Sequence, residues 1–233
     1  MNLPGVARAL APWLTALALS GCIYGTSRPT GDKVAPTLLR TAQAAPIVVA
    51  DTLEALVATG QDTTADREWA YFEVSHRPAP MTAADAFARA STAGRIAQLR
   101  GLNASALVKE VEHYGRLSNQ LDPTFRRGAA RRMLATLYVM APANMVRNGD
   151  SETGLDMLAQ LIATYPDDIE NHLRLGEAYV SLGDYESAAP ELCACKHHTA
   201  ELRLDDRRLL EQLGEEARLA PCPDAATPPG ETP

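Results

Sequence analysis

The chain has 233 residues, 22 of them Lys or Arg against 29 Asp or Glu, for a net charge of −7. That length suits one domain, or one domain with tails, and a hydrophobic share of 46% is enough to bury a core. The acidic balance argues against a nucleic-acid partner, and four cysteines are too few for a disulfide scaffold of this length. Few aromatics with many Ala and Leu tilt the chain toward helix.

Met1 to Gly21 holds one charge, Arg8, and no acid. The apolar run Ala9 to Leu19 is shorter than the roughly 20 residues needed to span a bilayer and reads as the core of an export signal, residues 1–21. Leu19-Ser20-Gly21-Cys22 resembles the lipobox of bacterial lipoproteins. That resemblance implies acylation of the Cys22 thiol at the mature N-terminus, held in the membrane by several acyl chains. With Ile23 rather than an acid after the cysteine, it also implies the periplasmic face of the outer membrane. Residues 22–50 then form the lipidated N-terminus and a flexible tether, marked by Gly25, Pro29, Gly31 and Pro36. A helical domain is expected over 51–220, and a disordered Pro-rich tail over 221–233.

Within the domain, Glu68 to Val74 reads as a helix ending before Pro78. Thr82 with Asp85 three residues on forms a capping signal for a helix to about Arg100. Gly101 and Asn103 stop it and start the next, which carries Val108, Val111 and Glu112 and closes before Asp122-Pro123. Four amphipathic helices follow, with apolar positions at i, i+3, i+4, i+7: Leu134-Leu137-Tyr138-Ala141, Leu155-Leu158-Ala159-Ile162, Leu175-Ala178-Tyr179-Leu182 and Tyr185-Ala188-Ala189-Leu192. Pro190 lies inside the last of these and should kink or weaken it.

Gly154, Leu158 and Leu161 precede Ala188, Leu192 and Cys195 by 34 residues each, the tetratricopeptide period. Leu175-Gly176-x-x-Tyr179, Gly183-Asp184-Tyr185, Ala188 and Leu192 resemble that repeat. The matching first helices, at Leu134 and Leu175, stand 41 apart, so seven extra residues fall in the loop around Pro142 to Asp150. The expected fold is all-α: stacked antiparallel helix pairs in a superhelical array, since one hairpin cannot bury both faces. Glu201 to Leu219 reads as a C-terminal capping helix whose polar face carries Asp205, Asp206, Arg207 and Arg208.

Phe125 to Pro142, then Gly149-Asp150, then Tyr165 to His172, resembles the T component of TRAP-type transporters, a family of periplasmic tetratricopeptide lipoproteins. The similarity covers about residues 66–195 and departs from the family's usual Gly-Trp-Pro after Ala-Pro, having Ala143-Asn144-Met145 instead. It implies association with a solute-binding protein, a homotrimer and a hydrophobic channel.

A second stripe on two helices, Arg132-Thr136-Val139-Met140 and Leu173-Glu177-Val180-Ser181, is expected either to line a groove for a partner segment or apolar ligand or to widen the core. Arg126, Arg127, Arg131 and Arg132 read as a carboxylate clamp or as a wet face paired to nearby acids. Cys193-x-Cys195-Lys196-His197-His198 has metal-like chemistry, but residues two apart on a helix point about 200° apart. An oxidising compartment favours a disulfide from Cys222 to Cys193 or Cys195, leaving one thiol. No metal or other cofactor is expected. Asp167, Asp168 and His172 stand at a helix start and read as capping. No catalytic signature is present, so the expected role is binding or scaffolding rather than catalysis.

Overall fold

The computed structural model describes residues 33–80 and 82–223. The export signal, Cys22, the stretch to residue 32 and the tail beyond 223 lie outside the described residues.

The described residues form ten α-helices: α1 (Pro36–Leu39), α2 (Pro46–Thr59), α3 (Thr64–Ser75), α4 (Ala83–Arg100), α5 (Ser105–Leu121), α6 (Ala129–Met140), α7 (Ser151–Thr164), α8 (Ile169–Ser181), α9 (Tyr185–His197) and α10 (Leu204–Glu216). Their starts follow local chemistry. Pro36 and Pro46 open α1 and α2 where a missing N–H costs nothing. Thr63 and Asp66 form a reciprocal capping box on α3, and Thr82 caps α4 at the expected place. Asp150 and Asp184 cap α7 and α9, each accepting from a backbone N–H of the first turn.

The helices pack as pairs: α2 with α3, α4 with α5, α6 with α7, α8 with α9. Each second helix also packs on the first helix of the next pair, and α2 packs on α4, α6 on α8 and α8 on α10. This is the expected all-α array. One contact was not expected: α10 returns to touch α2, so the two ends of the series meet.

The domain begins earlier than residue 51. Val34, Leu38 and Val49 are buried with Leu53, Val57, Trp69 and Val74 in the first core cluster. Ala35 N–H donates to Asp66 at 2.7 Å, and Arg77 donates to the Ala42 carbonyl. The turn residues Pro36 and Gly31 suggested a tether, but a segment with buried Val and Leu every four residues is packed chain, not linker. At the other end, α10 spans Leu204–Glu216 after one 3₁₀ turn at Thr199–Glu201. Asp206 is 2% exposed, so it does not belong to a polar outer face. α9 continues through Pro190, whose side is exposed; only one ladder hydrogen bond is lost there.

Candidate functional site

The faces of α2, α4, α6, α8 and α10 that meet are joined by charge. Arg95 on α4 donates through Nε to Glu54 on α2 at 2.7 Å, and Arg203, just before α10, reaches the same carboxylate at 3.3 Å. Arg203 also donates to Asp205 at 2.8 Å and Asp206 at 3.3 Å. Asp206 accepts from Arg174 on α8 at 2.6 Å, and Arg174 holds Glu177 at 2.9 Å. On α6, Arg132 donates to Glu170 at 2.6 Å, Asn171 at 2.9 Å and Asp168 at 3.2 Å. Burial would raise the Glu54 carboxyl, but the bond and charge of Arg95, with Arg203 behind it, hold it below its ordinary value. Burial opposes the Arg174 charge too, and Glu177 and Asp206 outweigh it.

This network corrects the groove. Val139, Leu173 and Val180 are buried at 8%, 0% and 3% exposure and belong to the core. Arg132 and Glu177 are network members. Thr136 and Ser181 turn back onto the carbonyls of Arg132 and Ala178. Met140 alone of the eight is a large exposed apolar side chain. Close superhelical packing has widened the core, and the closure of α10 on α2 fills the inner side with ion pairs. Two open depressions lie elsewhere, about 380 Å³ beside Lys196, Arg207 and Glu211 and about 430 Å³ beside Pro46, Arg77 and Pro78.

Three of the four arginines are paired to acids, Arg132 within the network above, and the fourth, Arg131, to an amide. Arg126 makes a fork to Asp51 with both bonds at 2.7 Å, Arg127 pairs with Asp167, and Arg131 donates to Gln160. Arg126, Arg127 and Gly128 have φ of 48°, 55° and 80°, a left-handed turn that sets where α6 starts. Glycine is required at 128, since a Cβ would come within 2.6 Å of Leu161. Capping does not describe Asp167, Asp168 and His172. Asp168 makes no side-chain cap and serves Arg132 instead. His172 joins α8 to α9, with Nδ1 2.7 Å from Glu191 and Nε2 3.2 Å from the Pro166 carbonyl. Both ring nitrogens face acceptors, and the Glu191 bond raises its pKa against the pull of burial.

The seven-residue insertion is the feature whose internal order could not be read from the sequence. Between α6 and α7, Met145 and Val146 are buried beside Ala104, Val108, Leu134 and Tyr138. Glu112, 3% exposed on α5, accepts from the backbone N–H of Asn148 at 2.7 Å and of Arg147 at 3.1 Å, and from the Asn148 side chain at 3.0 Å. Burial would raise this carboxyl, but the Asn148 and Arg147 bonds and one from Tyr138 hold it below 4.5. Gly149 lies on the Tyr138 ring, where a Cβ would meet Cδ2 at 2.4 Å. The available signal was a buried acid on the apolar face of α5, between Val108 and Gly115. Pro142, Ala143, Asn144, Arg147 and Asn148 remain exposed on the outside of the loop.

Cys193 and Cys222 form the disulfide, so the chain just past α10 is fixed to α9 and 221–223 are ordered. Cys195 is the buried thiol. It takes the core place its register implies, donates to the Ile169 carbonyl at 3.7 Å, and burial pushes its pKa up to about 12. Among the described residues, no group of three or more His, Cys, Asp or Glu could hold a metal ion, and no helix is long and apolar enough to cross a membrane.

No family model matches this chain, and no curated protein matches it.

Proposed function

We propose that the protein is a lipid-anchored, tetratricopeptide-like binding module at the periplasmic face of the cell envelope, and that it recognises a protein partner through the α6–α7 loop. The observation that carries this reading is the Glu112 anchor. A loop longer than the repeat requires is held to a rigid helix by its backbone, while its outer side chains stay exposed. A preorganised loop on a rigid scaffold gives up little entropy when it binds. The resemblance to TRAP-type T components suggests a periplasmic solute-binding protein as that partner and a homotrimer as the assembly. An apolar solute has less support, because Val139, Leu173 and Val180 are occupied in the core. A scaffold role in envelope assembly, with no small-molecule ligand, is the second reading, and the filled inner side favours it over solute carriage.

A photo-crosslinking residue at Asn144 tests the loop in intact cells. A discrete protein adduct is expected, reduced about tenfold by Glu112→Ala, which removes the anchor. The reading fails if the adduct is absent, or if it is indifferent to Glu112. Mass spectrometry of the adduct then separates a solute-binding protein from assembly machinery.

A further inference from the structure

The turns inside the helix pairs, α2–α3, α4–α5, α6–α7 and α8–α9, share one edge of the array, and the chain enters the fold at that edge. Ala35 N–H bonds Asp66 in the first turn of α3, which places Lys33 to Ala35 beside the α2–α3 turn. Arg67 in the same turn reaches Gln98 near the end of α4 at 3.5 Å. Ala104, in the α4–α5 turn, shares a core cluster with Met145 and Val146 of the α6–α7 loop. α6 and α8 run parallel, since Arg132 meets Glu170 and Asn171 near their starts while Val139 clusters with Ala178 further along.

Exposed apolar side chains collect on this edge. Leu99 and Leu102 flank the α4–α5 turn at 43% and 81% exposure, Met140 ends α6 at 47%, and Leu182 and Tyr185 flank the α8–α9 turn at 48% and 44%. The other large exposed hydrophobics among the described residues, Val48, Leu121 and Leu204, stand at the start of α2, the end of α5 and the start of α10, on the opposite edge. Monomeric surfaces carry scattered apolar residues, but a row drawn from three successive turns is a contact surface in want of a partner.

The geometry points to the lipid bilayer as the occupant: this edge rests on the membrane to which Cys22 anchors the chain. The inference rests on the anchor read from the Cys22 lipobox. Cys22 precedes Lys33 by eleven residues, and at about 3.6 Å per residue the chain reaches at most ~40 Å. The edge nearest that entry point therefore meets the bilayer first. Tyr185 has the apolar body and polar tip that suit the interface. Asp150 and Asp184 on this edge are engaged as helix caps, and Glu152 and Glu186 follow them in the first turns of α7 and α9, so acids border the apolar row. The row is too small to hold a protein on a membrane by itself; it orients a chain that the acyl groups already hold, and the α6–α7 loop on the same edge then meets its protein partner at the bilayer surface.

The test uses the mature lipidated protein in vesicles of phosphatidylethanolamine and phosphatidylglycerol, with and without brominated acyl chains. Flotation reports the anchor alone; tryptophan quenching in Leu102→Trp and Leu121→Trp reports the edge. Both sites are exposed, and the native Trp69, 1% exposed, gives the same background in each. Flotation with L102W quenched at least about twofold more than L121W is expected, since quenching requires contact with the acyl region. Flotation with the two quenched alike, or neither quenched, overturns the docking edge and leaves the anchor standing. Blue-shifted L102W emission without quenching overturns it in favour of a second copy or a protein partner. Failure to float overturns the anchor and the docking together. In the unsubstituted protein, slowed hydrogen exchange on vesicles at 101–104 and 182–185, with none at 122–125, gives the same answer without a mutation.

Discussion

The α6/α7 and α8/α9 hairpins share one 34-residue register in their second helices, yet they solve close packing from opposite sides. In the first, the small residue is on the second helix: a Cβ on Gly154 would lie 2.6 Å from the Ala135 carbonyl oxygen and 2.7 Å from Val139. In the other, it is on the first helix: a Cβ on Gly176 would meet Leu192 Cδ2 at 2.7 Å. Ala135 and Gly176 are register equivalents, as are Gly154 and Ala188. Each hairpin therefore carries one glycine and one alanine at these two register positions, with the order exchanged. The neighbour that each glycine admits differs with it, backbone in α6/α7 and a leucine side chain in α8/α9. The turns differ as well. Gly183 in a left-handed conformation closes α8/α9 tightly, whereas Glu112 holds the long α6–α7 loop. The ends differ again, because α9 is stapled to the chain after α10.

The staple gives the largest expected difference. Cys222→Ser opens a bridge between positions 29 apart, and loop-closure entropy sets the loss at about 3–4 kcal/mol. Urea unfolding should report that loss under oxidising conditions, with hydrogen exchange accelerating in α9 and α10 well before α6 and α7. Uniform acceleration would mean that the two hairpins unfold as one unit.

The glycines come next. Gly154→Ala places a methyl against backbone, which cannot swing aside, so α6 and α7 must part. A cost of about 1–3 kcal/mol is expected even though alanine favours helix. Gly176→Ala meets the far end of a leucine side chain, and helix propensity of about 1 kcal/mol offsets the repacking. Thermal melts should separate the two variants by several degrees, and equal shifts would show that the exchanged order has no energetic meaning.

The smallest expected effect is one of sign. The lowered pKa of Glu112 makes its anchor fully effective above the ordinary carboxyl value of 4.5 and lost as pH falls through the lower folded value. The raised pKa of His172 makes its bridge to Glu191 fully effective below 6.5 and lost as pH rises through the higher folded value. Protection of the 145–148 amides, corrected for intrinsic exchange, should therefore fall toward acid, while protection across α8/α9 falls toward alkali. About 1 kcal/mol or less is at stake in each. Glu112→Gln should flatten the first profile alone and Glu191→Gln the second alone; either variant flattening both would join the two hairpins into one titrating unit.

Much of this comparison was legible beforehand. The register of Leu158 with Leu192, the Thr82 and Asp184 caps and the extra length at Pro142 to Asp150 follow from local chemistry and spacing; a disulfide from Cys222 followed from the oxidising compartment the lipobox implies, and the structure chose Cys193 over Cys195. The groove did not follow. Val139 and Val180 occupy a second stripe that periodicity leaves equally suited to a cavity or to a thick core, and only the neighbours that arrive, from α7 and α8 on Val139 and from α9 and α10 on Val180, choose between them. The start of the domain was missed for a related reason: Pro36 and Gly31 mark turns, Val34 and Leu38 are too short a run to declare a helix, and Val49 belongs to α2, which starts at Pro46.

The order of residues along the chain determined the helices, their caps and the pairing of neighbours, because those depend on contacts a few residues to one repeat apart. Tertiary structure alone decided that α10 meets α2, that Arg95, Glu54 and Arg203 share charge, and that Glu112 holds a loop from another hairpin. The Arg95–Glu54 and Glu112–Arg147 contacts, 41 and 35 positions apart, need one pair to stack on the next with its side chains in place. Arg203–Glu54, 149 apart, needs superhelical curvature summed over every pair in the series.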